Sequence, residues 1–273
     1  MSTLSYGFDT PSLADYYESV SQQRQFKAGK FLLERLRLRP GETVLDVGCG
    51  TGLLAAHAAT LVGPTGTVLG IDPLPLRVEI AKERTRRNVA FRVGDAYDLS
   101  AYPDASFDAV YLNAVFHWLP EKLSPLRGIH RVLKAGGRLG ISTGSKDHPN
   151  SLQEVRKGVL TRAPYRDYPE SAESVAHNVN AGELEELLES SGFNVQSLEL
   201  KPHLTYHETG RAALDFVQAS SFGNFLGRLP ERLRRPAQAE IETELESSRT
   251  PRGIPQRGRR IVAIAVKASE LSS

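Results

Sequence analysis

The chain has 273 residues, of which 40% are hydrophobic and 24% charged, with one cysteine and a formal net charge of +2 at pH 7. These values exclude bulk disorder, a disulfide framework and a Cys-rich metal site, and the length fits one large α/β domain with additions or at most two domains. The net charge is too small to indicate a nucleic-acid or membrane partner by itself.

The first residues lack the basic region and apolar core of a secretory signal, and no apolar run approaches the roughly 20 residues that a membrane span needs. We therefore expect a soluble, cytoplasmic protein without a membrane span. Residues 1–12 form a polar arm, and residues 13–38 show helical periodicity with Ser12 as the candidate N-cap. Gly29 marks a point at which this helix could divide in two.

Short apolar runs alternate with helical patterns over residues 43–142. This alternation predicts a parallel sheet covered by helices on both faces. The predicted strands are 43–47, 67–71, 89–93, 107–112 and 138–142, and the predicted helices are 53–61, 76–87 and 123–133.

The pattern is less regular further along the chain. Residues 144–178 are rich in Ser, Pro, Tyr and charge, and indicate no firm element. The later predicted elements are a helix at 181–190 with Gly192 as its C-cap, a strand at 195–200, helices at 209–221 and 230–247, and a strand at 261–266. We interpret 201–258 as an excursion between two neighbouring strands that covers a site at the sheet edge.

The strongest motif is the run VLDVGCGTG at residues 44–52, where the first strand turns into a helix. Glycines at such a turn let the backbone approach a ligand closely, and the helix N-terminus offers free N–H groups to an anion. Asp72 follows Gly52 by 20 residues, at the end of the second strand. An acidic residue in that place can accept hydrogen bonds from a ribose diol.

The spacing argues against a nicotinamide site, because Leu53 occupies the third glycine position of G-x-G-x-x-G. The pattern D-x-G-x-G-x-G instead resembles class I S-adenosylmethionine-dependent methyltransferases of the UbiE-like (type 11) small-molecule branch. Four further stretches resemble that family's motifs in its order, over about residues 43–142: Ile71-Asp72, Val93-Gly94-Asp95-Ala96, Phe107-Asp108-Ala109-Val110 with Asn113-Ala114, and 131–139 (RVLKAGGRL).

The resemblance implies an α/β fold: a Rossmann-like, doubly wound, seven-stranded, mostly parallel sheet with a helical lid insertion. The whole chain, 1–273, would be a single methyltransferase domain. Within it the resemblance implies an N-terminal helical cap at 1–38, a cofactor-binding core at 43–142, lid insertions at 144–178 and 201–258, and remaining core elements at 181–200 and 259–268.

The resemblance also implies how S-adenosylmethionine, the expected cofactor, is held without a metal. The methionine end of the cofactor would meet the glycine loop, and the ribose would bind to Asp72. The adenine would bind to Asp95 and the backbone of Ala96, while Asn113 would face the sulfonium. From the N-terminal helix, Tyr16 and Gln25 are candidates for closing over the cofactor and Tyr17 for contacting the acceptor; a solvated helix face is the alternative. The loop residues in this set are Asp46, Gly48, Gly50 and Gly52.

Methyl transfer is an in-line displacement that requires alignment and, for some acceptors, a base. His117 follows the fourth strand and has a suitable ordinary pKa, so it is the candidate base, with a structural role as the alternative. Tyr206 is a second catalytic candidate, with His207 beside it. The substrate-binding candidates are Phe116, His207, Phe222 and Phe225, for which packing is the competing interpretation.

The leading functional hypothesis is methylation of a small-molecule acceptor, an apolar or aromatic metabolite, with a lean towards C-methylation of an indole- or quinone-type ring in natural-product or cofactor metabolism. Nine arginines between residues 228 and 260 leave open a phosphate- or carboxylate-bearing substrate, or an RNA or protein methyltransferase, although nucleic acid is disfavoured. A non-catalytic cofactor-binding scaffold and a homodimer also stay open. An arsenic-type relative would need several cysteines.

Overall fold

The computed structural model describes residue 18 and residues 22–173, 176–220 and 225–268, and its centre is a seven-stranded sheet. The strand order is β3-β2-β1-β4-β5-β7-β6, in which β1 to β5 run parallel and β7 is antiparallel to both of its neighbours. The predicted doubly wound, mostly parallel fold is therefore confirmed. The strands are β1 Thr43–Val47, β2 Thr67–Asp72, β3 Val89–Val93, β4 Phe107–Asn113, β5 Leu133–Gly144, β6 Phe193–His207 and β7 Ile254–Lys267.

Helices cover both faces of this sheet because successive strand residues alternate in direction and both sets are apolar. On β4, Ala109 and Tyr111 pack towards α1, α2 and α3, whereas Val110 and Leu112 pack towards α4 and α6. In the described residues, the helices are α1 Gln22–Leu36, α2 Leu53–Val62, α3 Pro75–Lys82, α4 Leu123–Val132, α5 Ser151–Leu160, α6 Ala181–Ser190, α7 Gly210–Ser220 and α8 Glu231–Glu246.

Strands β6 and β7 extend well beyond the sheet. The pairing of β5 with β7 ends at Gly144 and Arg260, but β6 and β7 stay paired as far as His207 and Ile254. Residues 201–207 and 254–260 thus form a two-stranded ribbon that projects past the carboxyl ends of the parallel strands. Helices α5, α7 and α8 pack beside this ribbon around their own apolar cluster, which includes Val159, Leu214, Phe225, Ile241 and Ile254.

Several predicted boundaries are wrong. Gly29 does not divide the first helix: a Cβ there would lie 2.4 Å from Leu54 Cδ2, so the glycine lets α1 approach α2 closely. The helix predicted at 76–87 ends at Lys82, because the chain turns back through a bridge between Arg86 and Val89 to enter β3. Residues 144–178 contain α5, whose N-cap Asn150 accepts a hydrogen bond from the backbone N–H of Leu152. Ser12 lies outside the described residues.

Candidate functional site

The glycine loop joins β1 to α2 in a conformation that L side chains rarely adopt. Gly48, Gly50 and Gly52 have φ angles of 77°, 55° and 84°. The backbone N–H groups of Gly48 and Cys49 donate to the carbonyl of Ile71, at 2.7 and 2.9 Å, which ties the loop to β2. A Cβ on Gly48 would lie 2.3 Å from Val115 Cγ2, so the loop also closely approaches the segment after β4.

Asp72 ends β2 and is only 4% exposed. Its Oδ2 accepts a hydrogen bond of 2.9 Å from the N–H of Gly50, and its Oδ1 one of 3.0 Å from the N–H of Leu74. The carboxylate therefore shapes the glycine loop in addition to lining the cavity beside it. This supporting contact was not predicted, since Gly50 and Asp72 meet only when β1 and β2 pair.

Asp46 lies beneath the loop and is 2% exposed. Tyr111 Oη donates to Asp46 Oδ2 at 2.8 Å. Burial raises the pKa of Asp46 to about 8; the hydrogen bond from Tyr111 opposes this rise and the charge of Asp72 adds to it. Burial therefore favours the protonated carboxyl of Asp46, which is the form that can donate a hydrogen bond.

Asn113 ends β4 at the wall of the cavity. Its Nδ2 donates to the carbonyl of Gln25 at 3.1 Å, which holds α1 over the carboxyl end of β4. Its Oδ1 is buried and has no hydrogen-bond partner in the described residues. A buried acceptor without a partner costs free energy, so a ligand N–H at this point would be stabilising.

A cavity connects the carboxyl edge of the sheet with the ribbon and the helices beside it. Its empty volume is about 1550 Å³, part of it open solvent. Gly48, Gly50, Asp72, Asp95, Ala96 and Asn113 line one side. Asp95 follows β3, and its Oδ1 accepts from the backbone N–H of Tyr97 at 3.0 Å. Seven of the residues expected at the cofactor, Gln25 included, therefore line the same cavity. Asp46 lines a small recess next to it, and Gly52, at the end of the loop, lies against Phe91.

These residues fit S-adenosylmethionine. Two carboxylates at the cavity wall suit a ribose diol and an exocyclic amine, and the unsatisfied Oδ1 of Asn113 suits an ammonium donor. Gly48 leaves no room for a side chain of its own, so the backbone forms the wall. Among the described side chains, no group of three or more His, Cys, Asp or Glu residues is placed to hold a metal ion.

His117 lies in a single 3₁₀ turn, Phe116–Trp118, and lines the cavity. Its Nδ1 is 3.1 Å from Thr143 Oγ1. Desolvation lowers the pKa of His117 to about 3, and the positive charges of Arg260 and Lys122 add to the effect. The ring is neutral at pH 7 and can accept a proton, but a pKa this low makes His117 a weaker base than its ordinary pKa indicated. Its role as a base stays a prediction.

The structure separates the other acceptor-side candidates from the cavity. Phe116 is fully buried in the core, and Phe225 is 1% exposed in the cluster beside the ribbon. Tyr206 faces away from the cavity, because strand alternation puts it opposite His203 and His207. His207 lies behind the wall, bonded to Gln256. Tyr16, Tyr17 and Phe222 lie outside the described residues.

Sequence reasoning did not select Gln256 or Arg260, which line the cavity, and it noted His203 only as a member of the 201–258 excursion. His207 Nε2 lies 2.8 Å from Gln256 Oε1, and Arg260 Nη2 donates to Gln25 Oε1 at 2.9 Å. If the predicted strand at 195–200 is extended to residue 207, strand alternation places His203 and His207 on one face. Gln256 and Arg260 carry no local signal, because they reach the cavity only through the pairing of β6 with β7.

Comparison with known proteins gives the family. A model of the methyltransferase domain matches residues 38–192, more than half of the chain. The chain belongs to this family. It is a class I S-adenosylmethionine-dependent methyltransferase of the UbiE-like type, as the motifs indicated.

Three curated relatives have similar sequences. The methyltransferase is 31% identical over 210 residues to an arsenite methyltransferase of Halobacterium salinarum, covering 74% of this chain but only about half, 48%, of that relative. It is 30% identical over 180 residues to a demethylmenaquinone methyltransferase of Lactobacillus johnsonii, covering 60% and 72%. It is 32% identical over 206 residues to the 27-O-demethylrifamycin SV methyltransferase of Amycolatopsis mediterranei, covering 71% and 72%.

Solved structures share the fold of this methyltransferase. A Haloferax volcanii methyltransferase, solved in complex with the activator Trm112, superposes with a TM-score of 0.61 at 20% identity, covering 94% of this chain and 96% of that one. In the ranges that the structure describes, every helix is too short or too polar to cross a bilayer.

Acid unfolding of the methyltransferase tests the environment of His117. Since its pKa falls from 6.5 to about 3 on folding, the unfolded chain binds more protons between these values, and stability falls as the pH drops through this window by about 1.4 kcal/mol per unit. Asp46 contributes a slope of stability against pH with the opposite sign, because its raised pKa makes stability fall as the pH rises from about 4 to 8. We expect His117→Gln to remove the first slope and Asp46→Asn the second.

The measurement is urea unfolding of wild type and both variants from pH 4.5 to 8, analysed as differences so that the other groups cancel. A difference between wild type and His117→Gln that is independent of pH would contradict the lowered pKa of His117.

Proposed function

We propose that this methyltransferase transfers a methyl group from S-adenosylmethionine to a small organic acceptor bound between the glycine loop and the ribbon. The observation that carries the proposal is the continuity of one cavity from Asp72 and Asn113 to Phe216 and Gln256. In this proposal the segments 144–178 and 201–258 act as the lid that recognises the acceptor. A cytoplasmic location and a homodimer stay predictions.

The acceptor is proposed to be aromatic or apolar in its main part. Val115, Trp118, Leu119, Phe216 and Val217 give the cavity an apolar wall, which suits a ring. The names of two relatives, for demethylmenaquinone and demethylrifamycin, support organic acceptors of this kind. We favour a ring carbon as the methylated atom, with a hydroxyl oxygen as the second candidate because the rifamycin relative is named for an O-demethyl substrate.

We do not propose arsenite, for which the Halobacterium salinarum relative is named, as an acceptor of this methyltransferase. Cys49 is the only cysteine of the chain and is buried. Burial raises the pKa of the Cys49 thiol well above its ordinary value, and the nearby carboxyls of Asp46 and Asp72 raise it further. A thiol held in this neutral form is a poor nucleophile and a poor ligand for a soft ion.

When bound, S-adenosylmethionine supplies an electrophilic methyl group. The chain contributes alignment: Asp72 and Asp95 hold the nucleoside part, and Asn113 with Gln25 holds the end that reacts. His117 is proposed to orient the acceptor as a neutral hydrogen-bonding group. Proton transfer to a ring with a pKa of about 3 is unfavourable at pH 7, so an acceptor that activates itself, such as a phenolate or an electron-rich ring, suits this site best.

The arginine-rich segment supports a small acceptor better than RNA. Several of its side chains are used within the protein: Arg228 donates to the carbonyl of Glu170 at 2.6 Å, Arg234 to that of Leu229 at 2.9 Å, and Arg249 pairs with Glu246 at 2.7 Å. These contacts stabilise the helices around the ribbon. An arginine that bonds within the protein is less available to the phosphates of an RNA.

Two measurements test the proposal. Calorimetry should show binding of S-adenosylhomocysteine and none of NAD, and a panel of aromatic metabolites should yield methyl incorporation from labelled S-adenosylmethionine. Binding of NAD alone would overturn the proposal. Methylation of RNA with a steep salt dependence, in the absence of any small acceptor, would favour the alternative.

A further inference from the structure

We propose that the acceptor carries an oxyanion, a carboxylate or a phosphate, which binds in a notch on the ribbon formed by Gln256, Gly258, Arg260 and His203. This inference rests on the proposed function and specifies its substrate class. The four residues line the cavity. Gln256, Gly258 and Arg260 alternate along one face of β7, and His203 pairs with Gly258 across the ribbon.

The floor of the notch is backbone. Gly258 has no side chain, and a Cβ there would be in van der Waals contact with Asn150 Cα at 3.5 Å and the carbonyl oxygen of Pro149 at 3.7 Å. Gln256 and Arg260 lie on either side of Gly258, four residues apart, which corresponds to about 13 Å along a strand. Their long side chains can extend towards each other over this distance. Because all three residues line the cavity, we infer that a small anionic group binds on the cavity side of this floor, within reach of the amide and the guanidinium.

The Gln256 side chain is oriented for donation into the notch. It is 3% exposed, and its Oε1 faces two groups behind the wall, His207 Nε2 at 2.8 Å and Thr205 Oγ1 at 3.3 Å. With the oxygen engaged there and the residue lining the cavity, we infer that the amide N–H groups are available on the cavity side. His207 thus acts as a positioning residue for Gln256.

Charge is unevenly distributed around the cavity. The carboxylates that line it among the described residues, Asp72 and Asp95, both lie at the ends of β2 and β3 on the cofactor side. The ribbon side contributes Arg259 and Arg260 to the wall and, within the described part of the chain, no carboxylate. The charge of Arg260 also reaches the cavity interior, because it helps to lower the pKa of His117. An amide donor and a guanidinium on the same wall favour a ligand group that only accepts hydrogen bonds.

Binding is tested on the full chain with benzoate, phenyl phosphate and the neutral analogue benzamide, each titrated by calorimetry with and without S-adenosylhomocysteine. We expect at least one anion to bind at least tenfold more tightly than benzamide. Gln256→Glu should weaken that anion at least tenfold by placing a carboxylate in the notch. Arg257→Ala is the matched control, since it removes an exposed positive charge from the same strand outside the cavity and should change nothing.

Two outcomes separate this inference from the proposed function. Equal affinity for anions and benzamide, or unchanged anion affinity in Gln256→Glu, overturns the notch even if methyl transfer is found. Anion binding that depends on Gln256, without methylation of any acceptor, supports the notch and counts against the proposed function. The dissociation constant of S-adenosylhomocysteine should stay within twofold in Gln256→Glu; a larger change with intact anion binding would assign the notch to the cofactor and overturn the proposal.

Discussion

Asp72→Ala is expected to weaken the binding of S-adenosylhomocysteine at least about tenfold. The carboxylate is proposed to accept hydrogen bonds from the ribose, and a bond to a charged group contributes roughly 1.5–3 kcal/mol. The substitution also removes the partners of the Gly50 and Leu74 N–H groups, so the glycine loop loses part of its support. Calorimetric titration gives the affinity directly.

The control for Asp72→Ala is Asp98→Ala, which removes an exposed carboxylate that accepts hydrogen bonds from Ser100 within the described part of the chain. It should leave the affinity unchanged. Asp72→Asn distinguishes the two roles of Asp72, because the amide oxygen can still accept one loop N–H while the charge is lost. Wild-type affinity in Asp72→Ala would refute the ribose assignment.

Most of the cofactor side could be predicted to converge because its residues lie at or just after the end of a strand; Gln25, on α1, is the exception. In a parallel sheet the carboxyl ends of neighbouring strands meet at one edge. The motifs after β1, β2, β3 and β4 therefore converge there, and this does not depend on how the helices pack. Asp72, Asp95 and Asn113 illustrate this, since each follows a short apolar run that is visible in the sequence. The structure places all three on one cavity.

The acceptor side was not predictable by the same reasoning. Whether a ribbon residue faces the cavity depends on strand parity and on pairing partners more than 40 positions away. Tyr206 and His207 were chosen for their chemistry, yet one faces away and the other lies behind Gln256. The aromatic residues Phe116 and Phe225 fill apolar clusters, in which a phenyl ring contributes more by burial than it would at a polar wall.

The titration behaviour of the site also required the structure. Asp46 and His117 carry ordinary pKa values in sequence, and burial moves them in opposite directions, to about 8 and about 3. Burial thus favours the neutral form of both groups. Burial disfavours whichever form is charged, so the same enclosed environment protonates the acid and deprotonates the base.

Gly48→Ala is expected to lower the free energy of unfolding by about 2–5 kcal/mol and to abolish measurable cofactor binding. A left-handed conformation costs a non-glycine residue about 1–2 kcal/mol, and overpacking adds about 1–3 kcal/mol. Gly48 has a φ of 77°, and its new Cβ would lie 2.3 Å from Val115 Cγ2. Val115 is stiff because it branches at Cβ, so the loop itself must move.

Gly136→Ala separates strain from overpacking. Gly136 has a φ of 71°, close to that of Gly48, but nothing lies within 4 Å of its Cβ position. It should therefore lose only about 1–2 kcal/mol and bind the cofactor normally. The double variant Gly48→Ala/Val115→Ala should recover part of the stability lost by Gly48→Ala, because it removes the methyl groups that collide. Equal losses in the two single variants, measured by urea unfolding, would mean that the loop does not depend on its close approach to Val115.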